Sequence, residues 1–312
     1  MVDVVKRIKQ GFEETEYIVG KWLARGEMVL IFADRGVGKT YITLLLAHSL
    51  ACGVDFLGHP TKRLRIIYFD GEMGSRAICI RLMKIDNRPD TKTGLVTNRF
   101  SSHSHNECDG SIMWNLSDPV HQKWYDREIE KSQADVVIID NLASCSRNIN
   151  SKDNEFDQWM RIEPWAIKKR EQGINVIFVH HSGKSGTQRG TSQKENPLDY
   201  MIHLKESRIK STPGYTGFEM IFTKTRDVHK DDVPSIYGEF TLDDNSFYIN
   251  HSKLEDKKAE EAQRLIGSGL SKPEVADKLG LPKWKVSELA EKVFTPDDTE
   301  HWQEEDDEDR YF

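Results

Sequence analysis

The segment Ala33-Asp34-Arg35-Gly36-Val37-Gly38-Lys39-Thr40 places glycines, a lysine and a hydroxyl at a spacing that suits phosphate chemistry. Glycine lets the main chain curl so that successive N–H groups face phosphate oxygens, and a following helix adds the positive partial charge of its N-terminus. In such a loop the lysine, here Lys39, reaches the β- and γ-phosphates, and the hydroxyl, here Thr40, ligands Mg2+. The spacing matches the phosphate-binding pattern G-x-x-x-x-G-K-[ST] except that Ala33 holds the first position. Alanine tolerates positive φ less well than glycine, so the entry to the loop is expected to differ slightly. The candidate contacts to ATP are Asp34, Arg35, Gly36, Val37, Gly38, Lys39, Thr40 and Tyr41.

Such a loop needs an acid to orient the metal and, for hydrolysis, a base for the attacking water. Val136-Val137-Ile138-Ile139-Asp140 reads as a buried strand ending in a carboxylate. The C-terminal strand ends of a parallel sheet cluster beside a phosphate loop, which puts Asp140 near Mg2+ together with Thr40. The base is sought in Arg65-Ile66-Ile67-Tyr68-Phe69-Asp70-Gly71-Glu72-Met73, where a strand ends near two acids, Asp70 and Glu72.

The order of these three segments resembles the RecA-like ATPase core, and within it the RepA-type hexameric plasmid helicases and the DnaB-like replicative helicases. That resemblance implies a Mg2+-dependent ATP hydrolase with Glu72 as the general base and Asp70 as its competitor. Asn175 to Lys184 carries a His-His-x-x-Lys similar to RepA-type proteins, which makes His181 a candidate γ-phosphate sensor. The next stretch, Ser182 to Lys194, is rich in glycine, hydroxyls and basic residues and has no acid. Such side chains suit phosphodiester contact without base selectivity, so Lys184, Arg189 and Lys194 are candidate contacts to single-stranded DNA. Arg189 also fits a role in nucleotide chemistry. Lys224 and Arg226 resemble the Lys-x-Arg of DnaB- and KaiC-like proteins, which reaches a neighbouring subunit's nucleotide. The two point to the same side of a strand. By that resemblance the chain forms a homo-oligomer, a hexamer, and an isolated subunit leaves Arg226 with little to do.

These groups need a scaffold, and the hydrophobic pattern supplies one. Apolar runs at 29–32, 64–69, 136–139 and 175–179 read as strands, and 41–50, 121–133 and 156–172 as helices, with Pro164 a possible kink. Segments near 200–205, 218–224 and 236–249 read as further strands, whereas 86–117 is polar without a clear period. The alternation predicts an α/β domain with a mostly parallel central sheet over 1–250. His103, His105 and Cys108 lie in the polar stretch and read as a loop, not a metal site.

The composition changes near residue 253. Residues 254–295 look helical, with Ser271 as an N-cap, Pro273 in a first turn and Gly280 as a stop. The run from Gly269 to Val293 resembles the helix-turn-helix of DNA-binding proteins, with Lys283, Trp284, Lys285 and Ser287 at the start of the recognition helix. A protein-docking bundle is the competing reading. Residues 296–312 read as an acidic, disordered tail. Nine acids and one arginine lie within 297–312, a net −8 against −7 for the 312-residue chain, so the rest carries +1 and leaves nucleic-acid binding open. The tail also resembles those through which single-stranded-DNA-binding proteins dock replication partners. No apolar run approaches the ~20 residues of a membrane span. Four scattered cysteines and no apolar leader in Met1 to Gln10 point to a reducing cytoplasm. The expected activity is a DNA-stimulated ATPase acting as a hexameric replicative helicase. The alternatives are an ATP-switched DNA-binding regulator or loader, and a recombinase-like ATPase that does not unwind.

Overall fold

The computed structural model describes residues 11, 14–33, 36–87, 98–105, 115–146, 154–181, 196–226, 228 and 233–292. The expected strands and helices form, and they build one large sheet. Its members are β3 (Met28–Ala33), β4 (Ile66–Asp70), β5 (Phe100–Ser104), β6 (Val136–Asp140), β7 (Asn175–His181), β8 (Tyr200–Glu206), β9 (Thr216–Thr225), β10 (Ile236–Leu242) and β11 (Phe247–Lys253). A small separate pair, β1 (Tyr17–Val19) and β2 (Leu23–Ala24), precedes them.

The strand order is β11-β10-β9-β8-β3-β7-β6-β4-β5. The six strands from β8 to β5 run parallel, and β9, β10 and β11 extend the sheet as an antiparallel meander. The parallel strands are covered on both faces, which explains why β3, β4 and β6 read as unbroken apolar runs. Val29 and Ile31 of β3 face α1 (Lys39–Cys52) and α2 (Ser75–Asp86). Met28, Leu30 and Phe32 face α3 (Pro119–Ser132) and α5 (Glu155–Glu171), with the four-residue α4 (Leu142–Cys145) after β6. Trp22, fully buried, packs edge-on against Tyr200 and Phe222 at 5.5 and 5.1 Å and ties the lead-in segment to the sheet.

Helix ends follow local chemistry. Asp118 caps α3 through Val120 N, with Pro119 in its first turn, and Asn154 and Asp157 make a reciprocal capping box on α5. Pro164 lies within α5. Gly53 ends α1 in a left-handed conformation.

Three C-terminal helices, α6 (Leu254–Gly267), α7 (Lys272–Leu279) and α8 (Lys283–Ala290), enclose a small core of Ala259, Leu265, Val275, Leu279, Val286 and Leu289. Ser271 and Glu274 make a capping box on α7, and Gly280 closes it with φ 64°. This core continues into the large domain through Ile209 and Tyr237. Lys258 of α6 also pairs with the buried Glu219 carboxylate of β9 at 3.4 Å.

Several elements depart from the pattern expected along the chain. The run 236–249 is a hairpin, β10 and β11, and no apolar period marks β1, β2 or α4. The stretch 86–117, read as aperiodic, contains β5. That strand has one neighbour, β4, and four of its five residues are only half-buried, so no alternation marks it. Ser75–Asp86 is a helix that the apolar pattern left unread; its buried stripe is only Ile78, Leu82 and Ile85. The acidic tail, Cys108 and the basic stretch 182–194 lie outside the described residues.

Candidate nucleotide site

The parallel register aligns the strand tips. Ala33 pairs with His181 across β3 and β7, Asp140 with Val179 across β6 and β7, and Asp70 with Asp140 across β4 and β6. The loop after β3 and the ends of the three strands beside it therefore meet at one edge of the sheet.

Two glycines shape the loop. Gly36 and Gly38 both have φ 88°, in the left-handed region that glycine adopts without strain. A Cβ on Gly38 would come within 2.6 Å of the Phe240 ring, whereas one on Gly36 would meet nothing within 4 Å. Gly38 thus seats the loop on β10, and Gly36 borders open space. Val37 is buried. Lys39 and Thr40 open α1, with Lys39 8% exposed and Thr40 half-buried. The next residue, Tyr41, stacks on Phe247 at 5.5 Å, with the Arg81 guanidinium 4.7 Å above its ring. Asp34 and Arg35 lie outside the described residues.

Facing the loop, the side chains form one hydrogen-bonded group. Lys39 Nζ lies 3.0 Å from His181 Nδ1. Asn141 donates its side-chain amide to Glu72 Oε1 at 2.6 Å and lies 3.1 Å from His181 Nε2. The Ser144 hydroxyl donates to the same Glu72 oxygen at 3.1 Å, and His181 Nε2 lies 3.4 Å from it. Burial alone would raise the Glu72 carboxyl, but hydrogen bonds from Asn141, His181 and Ser144 hold it below its ordinary range. Burial and the neighbouring Lys39 charge lower the His181 pKa.

The two carboxylates near the base position differ. Asp70 is buried and accepts main-chain N–H bonds from Glu72, Met73 and Gly74, at 2.7 Å from the last. Its oxygens fasten the turn into α2. Glu72 keeps a half-exposed carboxylate on the open side of the group. Asp140 is buried, and its Oδ2 accepts from the Tyr68 hydroxyl at 2.5 Å. Burial raises the Asp140 pKa, while the Tyr68 bond and the Lys39 charge pull it down. The peptide between Asp140 and Asn141 is cis.

Sequence reasoning missed Asn141, Ser144 and Tyr68. The signal for Asn141 lay in its place directly after Asp140, where an asparagine can cap a helix. It does so here, accepting from Ser144 N at 2.9 Å.

Lys224 and Arg226 are not at this edge. Arg226 donates to Asp199 Oδ1 at 2.9 Å and to the Asn196 carbonyl at 2.6 Å, and Lys224 Nζ reaches the same carbonyl at 3.4 Å. The shared carbonyl agrees with both side chains pointing one way. Asp199 also accepts from Met28 N, at the start of β3, and pairs with Arg170 at 3.1 Å. Arg226 therefore sits a whole strand away from its own phosphate loop, about 20 Å for six residues at ~3.3 Å each. It is also not idle in the single subunit, because it shares with Arg170 the pairing of the fully buried Asp199 carboxylate.

The remaining candidates fall elsewhere. His103 lies on β5, pairs with Glu128 at 3.1 Å and stacks on Phe69 at 5.7 Å. Its contacts are those of a packed strand residue. Lys283 and Trp284 open α8 at the surface, Trp284 68% exposed. Lys285 bonds Glu255 and Glu288, each at 2.8 Å. Lys184, Arg189 and Lys194 are outside the described residues.

Two left-handed glycines, an ammonium and a hydroxyl at a helix start, with a buried carboxylate on the facing strand tips, fit a nucleoside triphosphate with Mg2+. A family model described as an AAA domain matches residues 2–187. The chain belongs to the AAA domain family.

Other likenesses agree with this AAA domain. It is 24% identical over 212 residues to a DNA repair protein RadA of Synechocystis, matching 66% of this chain and 38% of that protein. It is 21% identical over 206 residues to the DNA repair protein RadA of Streptococcus pneumoniae, matching 65% and 41%. The chain thus spans about two fifths of the length of these curated relatives. A KaiC-like protein from the hyperthermophilic archaeon Pyrococcus horikoshii has the same fold, with a TM-score of 0.50 and 11% identity over 76% of this chain and 99% of that one. The fold is that of a RecA-like P-loop ATPase, and these likenesses do not single out RepA-type or DnaB-like helicases.

Proposed function

We propose that this chain is a Mg2+-dependent ATP hydrolase of the RecA-like type that works on DNA, closer to a recombination or repair ATPase than to a replicative helicase. The observation that carries the reading is the meeting of Lys39, His181, Asn141 and Glu72 at aligned strand tips facing the glycine loop. Main-chain N–H groups and Lys39 hold the triphosphate. Thr40 and Asp140 would hold Mg2+, which would supply charge neutralisation at the phosphate oxygens. Glu72, held ionised by Asn141 and Ser144, accepts a proton from water positioned at its open side. The contacts of His181 with both Lys39 and Glu72 support its reading as a γ-phosphate sensor.

DNA as the other substrate rests on relatives named as DNA repair proteins, and on the near-neutral body left once the acidic tail is set aside. Helices α7 and α8 are a second DNA contact, read as a helix-turn-helix with Lys283 and Trp284 exposed at its leading edge. Arg226, remote from its own loop, is the group we assign to a neighbouring subunit's nucleotide, so that the active form is an oligomer. A hexameric ring and a filament both satisfy that requirement.

The test is ATP turnover with and without single-stranded DNA, together with the mass of the assembly and strand displacement on a forked duplex. DNA-stimulated turnover in an oligomer without displacement is the expected result. Efficient displacement would restore the helicase reading. Absent turnover under all conditions, or turnover unaffected by Glu72→Gln, would remove the hydrolase reading.

A further inference from the structure

We propose that His48, Cys52 and Asp86 bind a divalent metal ion of the zinc type at the far end of the helix that follows the phosphate loop. His48 and Cys52 lie one turn apart on α1, and Asp86 is the last residue of α2, which packs beside it. His48 Nε2 is 2.8 Å from Asp86 Oδ1 and 3.6 Å from Cys52 Sγ, and the three donor atoms lie within 4.8 Å of one another.

The geometry separates this cluster from a nucleophile triad. In a triad the imidazole uses one nitrogen for the acid and the other for the nucleophile. Here carboxylate and thiol converge on the same nitrogen, which places all three around one point. Tetrahedral zinc, with bonds of about 2.3 Å to sulfur and 2.0–2.1 Å to nitrogen and oxygen, holds sulfur and nitrogen about 3.5 Å apart and nitrogen and oxygen about 3.3 Å apart. The sulfur–nitrogen separation already fits, and the carboxylate needs to withdraw by about half an ångström.

The donor set selects the ion. One thiolate, one imidazole and one carboxylate suit zinc and cobalt, whereas Mg2+ prefers oxygen alone. His48 is buried, and Cys52 and Asp86 are partly exposed, which leaves a route for the ion and a place for water as fourth ligand. Lys39 opens α1, and α2 follows the turn that carries Glu72. The ion would therefore clamp the far ends of the two helices whose near ends carry the nucleotide-facing groups.

The probe is Co2+, titrated into the full-length protein after chelation and under a non-thiol reductant. One equivalent per chain should produce a thiolate-to-cobalt charge-transfer band with tetrahedral visible bands, displaced by Zn2+, and Zn2+ should raise the melting temperature. Cys52→Ser should abolish the charge-transfer band. Asp86→Asn should weaken binding beyond the ~10–100-fold typical of losing an outer-shell partner. Lys39→Ala should leave the band intact, which separates this site from the nucleotide site. No thiolate band in the wild-type chain, or a band that persists in Cys52→Ser, overturns the proposal.

Discussion

Asn141 does two things with one amide. Its nitrogen donates to Glu72 Oε1 at 2.6 Å, and its oxygen accepts from Ser144 N at 2.9 Å, capping the short helix after β6. The residue next to Asp140, the carboxylate proposed for Mg2+, thus fixes the carboxylate proposed to act on water. Two strand tips, β4 and β6, are joined through a single side chain.

Asn141→Asp keeps the cap, removes the donor and adds a like charge beside Glu72. Loss of a bond to the ionised form, and repulsion between the two acids, both raise the Glu72 pKa. With Glu72 as the proposed base, turnover needs it ionised, so the acid limb of the kcat–pH profile should move to higher pH. Glu72→Gln should lower kcat by about 10²–10⁴-fold on the plateau above the acid limb, and the limb assigned to Glu72 should vanish. An unmoved acid limb in Asn141→Asp would separate the two residues functionally.

Lys39 is 8% exposed, and its ammonium is engaged with His181. On the proposed reading, nucleotide binding exchanges that partner for phosphate oxygens. A charge-assisted bond of this kind is worth about 1.5–3 kcal/mol, so Lys39→Ala should weaken ATP affinity by about 10–100-fold or more. Titration with a fluorescent nucleotide measures it, and unchanged affinity would refute the phosphate-loop assignment.

How much of this was visible in the chain depends on how local the signal is. Gly36 to Thr40, the buried runs 136–139 and 175–179, and the Ser271 and Gly280 punctuation are local patterns, and each of these sits in the structure where the pattern puts it. The turn that saturates Asp70 with main-chain donors from Glu72, Met73 and Gly74 is local, but nothing in the segment marks it. The groups around Glu72, which are Asn141, Ser144 and His181, are distant in sequence and meet it only through the pairing of β4, β6 and β7. Arg226 was illegible for a similar reason. Its partner Asp199 lies 27 residues away in sequence, and only the antiparallel pairing of β8 with β9 brings them together.

Arg226 and Glu72 lie toward opposite ends of the sheet, so a site shared between subunits takes one from each. Arg226→Ala and Glu72→Gln chains should each be inactive alone. Mixing them should recover some turnover, because a fraction of interfaces pairs an intact Arg226 with an intact Glu72. A trans-acting arginine is worth about 10³–10⁵ in rate, so the recovery stands well above background. A mixture that never exceeds its components would mean that Arg226 serves only Asp199.

His59 predicts an acid sensitivity apart from catalysis. Burial, and secondarily the nearby His251 charge, lower its pKa from 6.5 to about 4. Both states are mostly neutral at pH 7. Below about 6.5 the unfolded chain takes up a proton that the folded chain resists until about 4, so stability falls with pH across that window. The loss amounts to about 2 kcal/mol between pH 7 and pH 5. His59→Gln should remove that part of the decline in urea unfolding at the two pH values; an equal decline in both proteins would assign it to other groups.

Removing residues 254–312 is a poor test of the C-terminal helices, because it would uncover Ile209 and Tyr237 and take Lys258 from the buried Glu219. Point changes on α8 avoid this. Trp284 is 68% exposed, so Trp284→Ala should cost little stability. If its ring lies against nucleic acid, the change should still weaken DNA binding by about 1–3 kcal/mol. Lys283→Ala should reduce the salt dependence by the ~0.9 expected for one phosphate contact. Lys285 is held by Glu255 and Glu288, so Lys285→Ala should change the slope less. Fluorescence anisotropy over a salt series reads all three. If Trp284→Ala and Lys283→Ala bind DNA like the wild type, the exposed edge of α8 belongs to a protein partner.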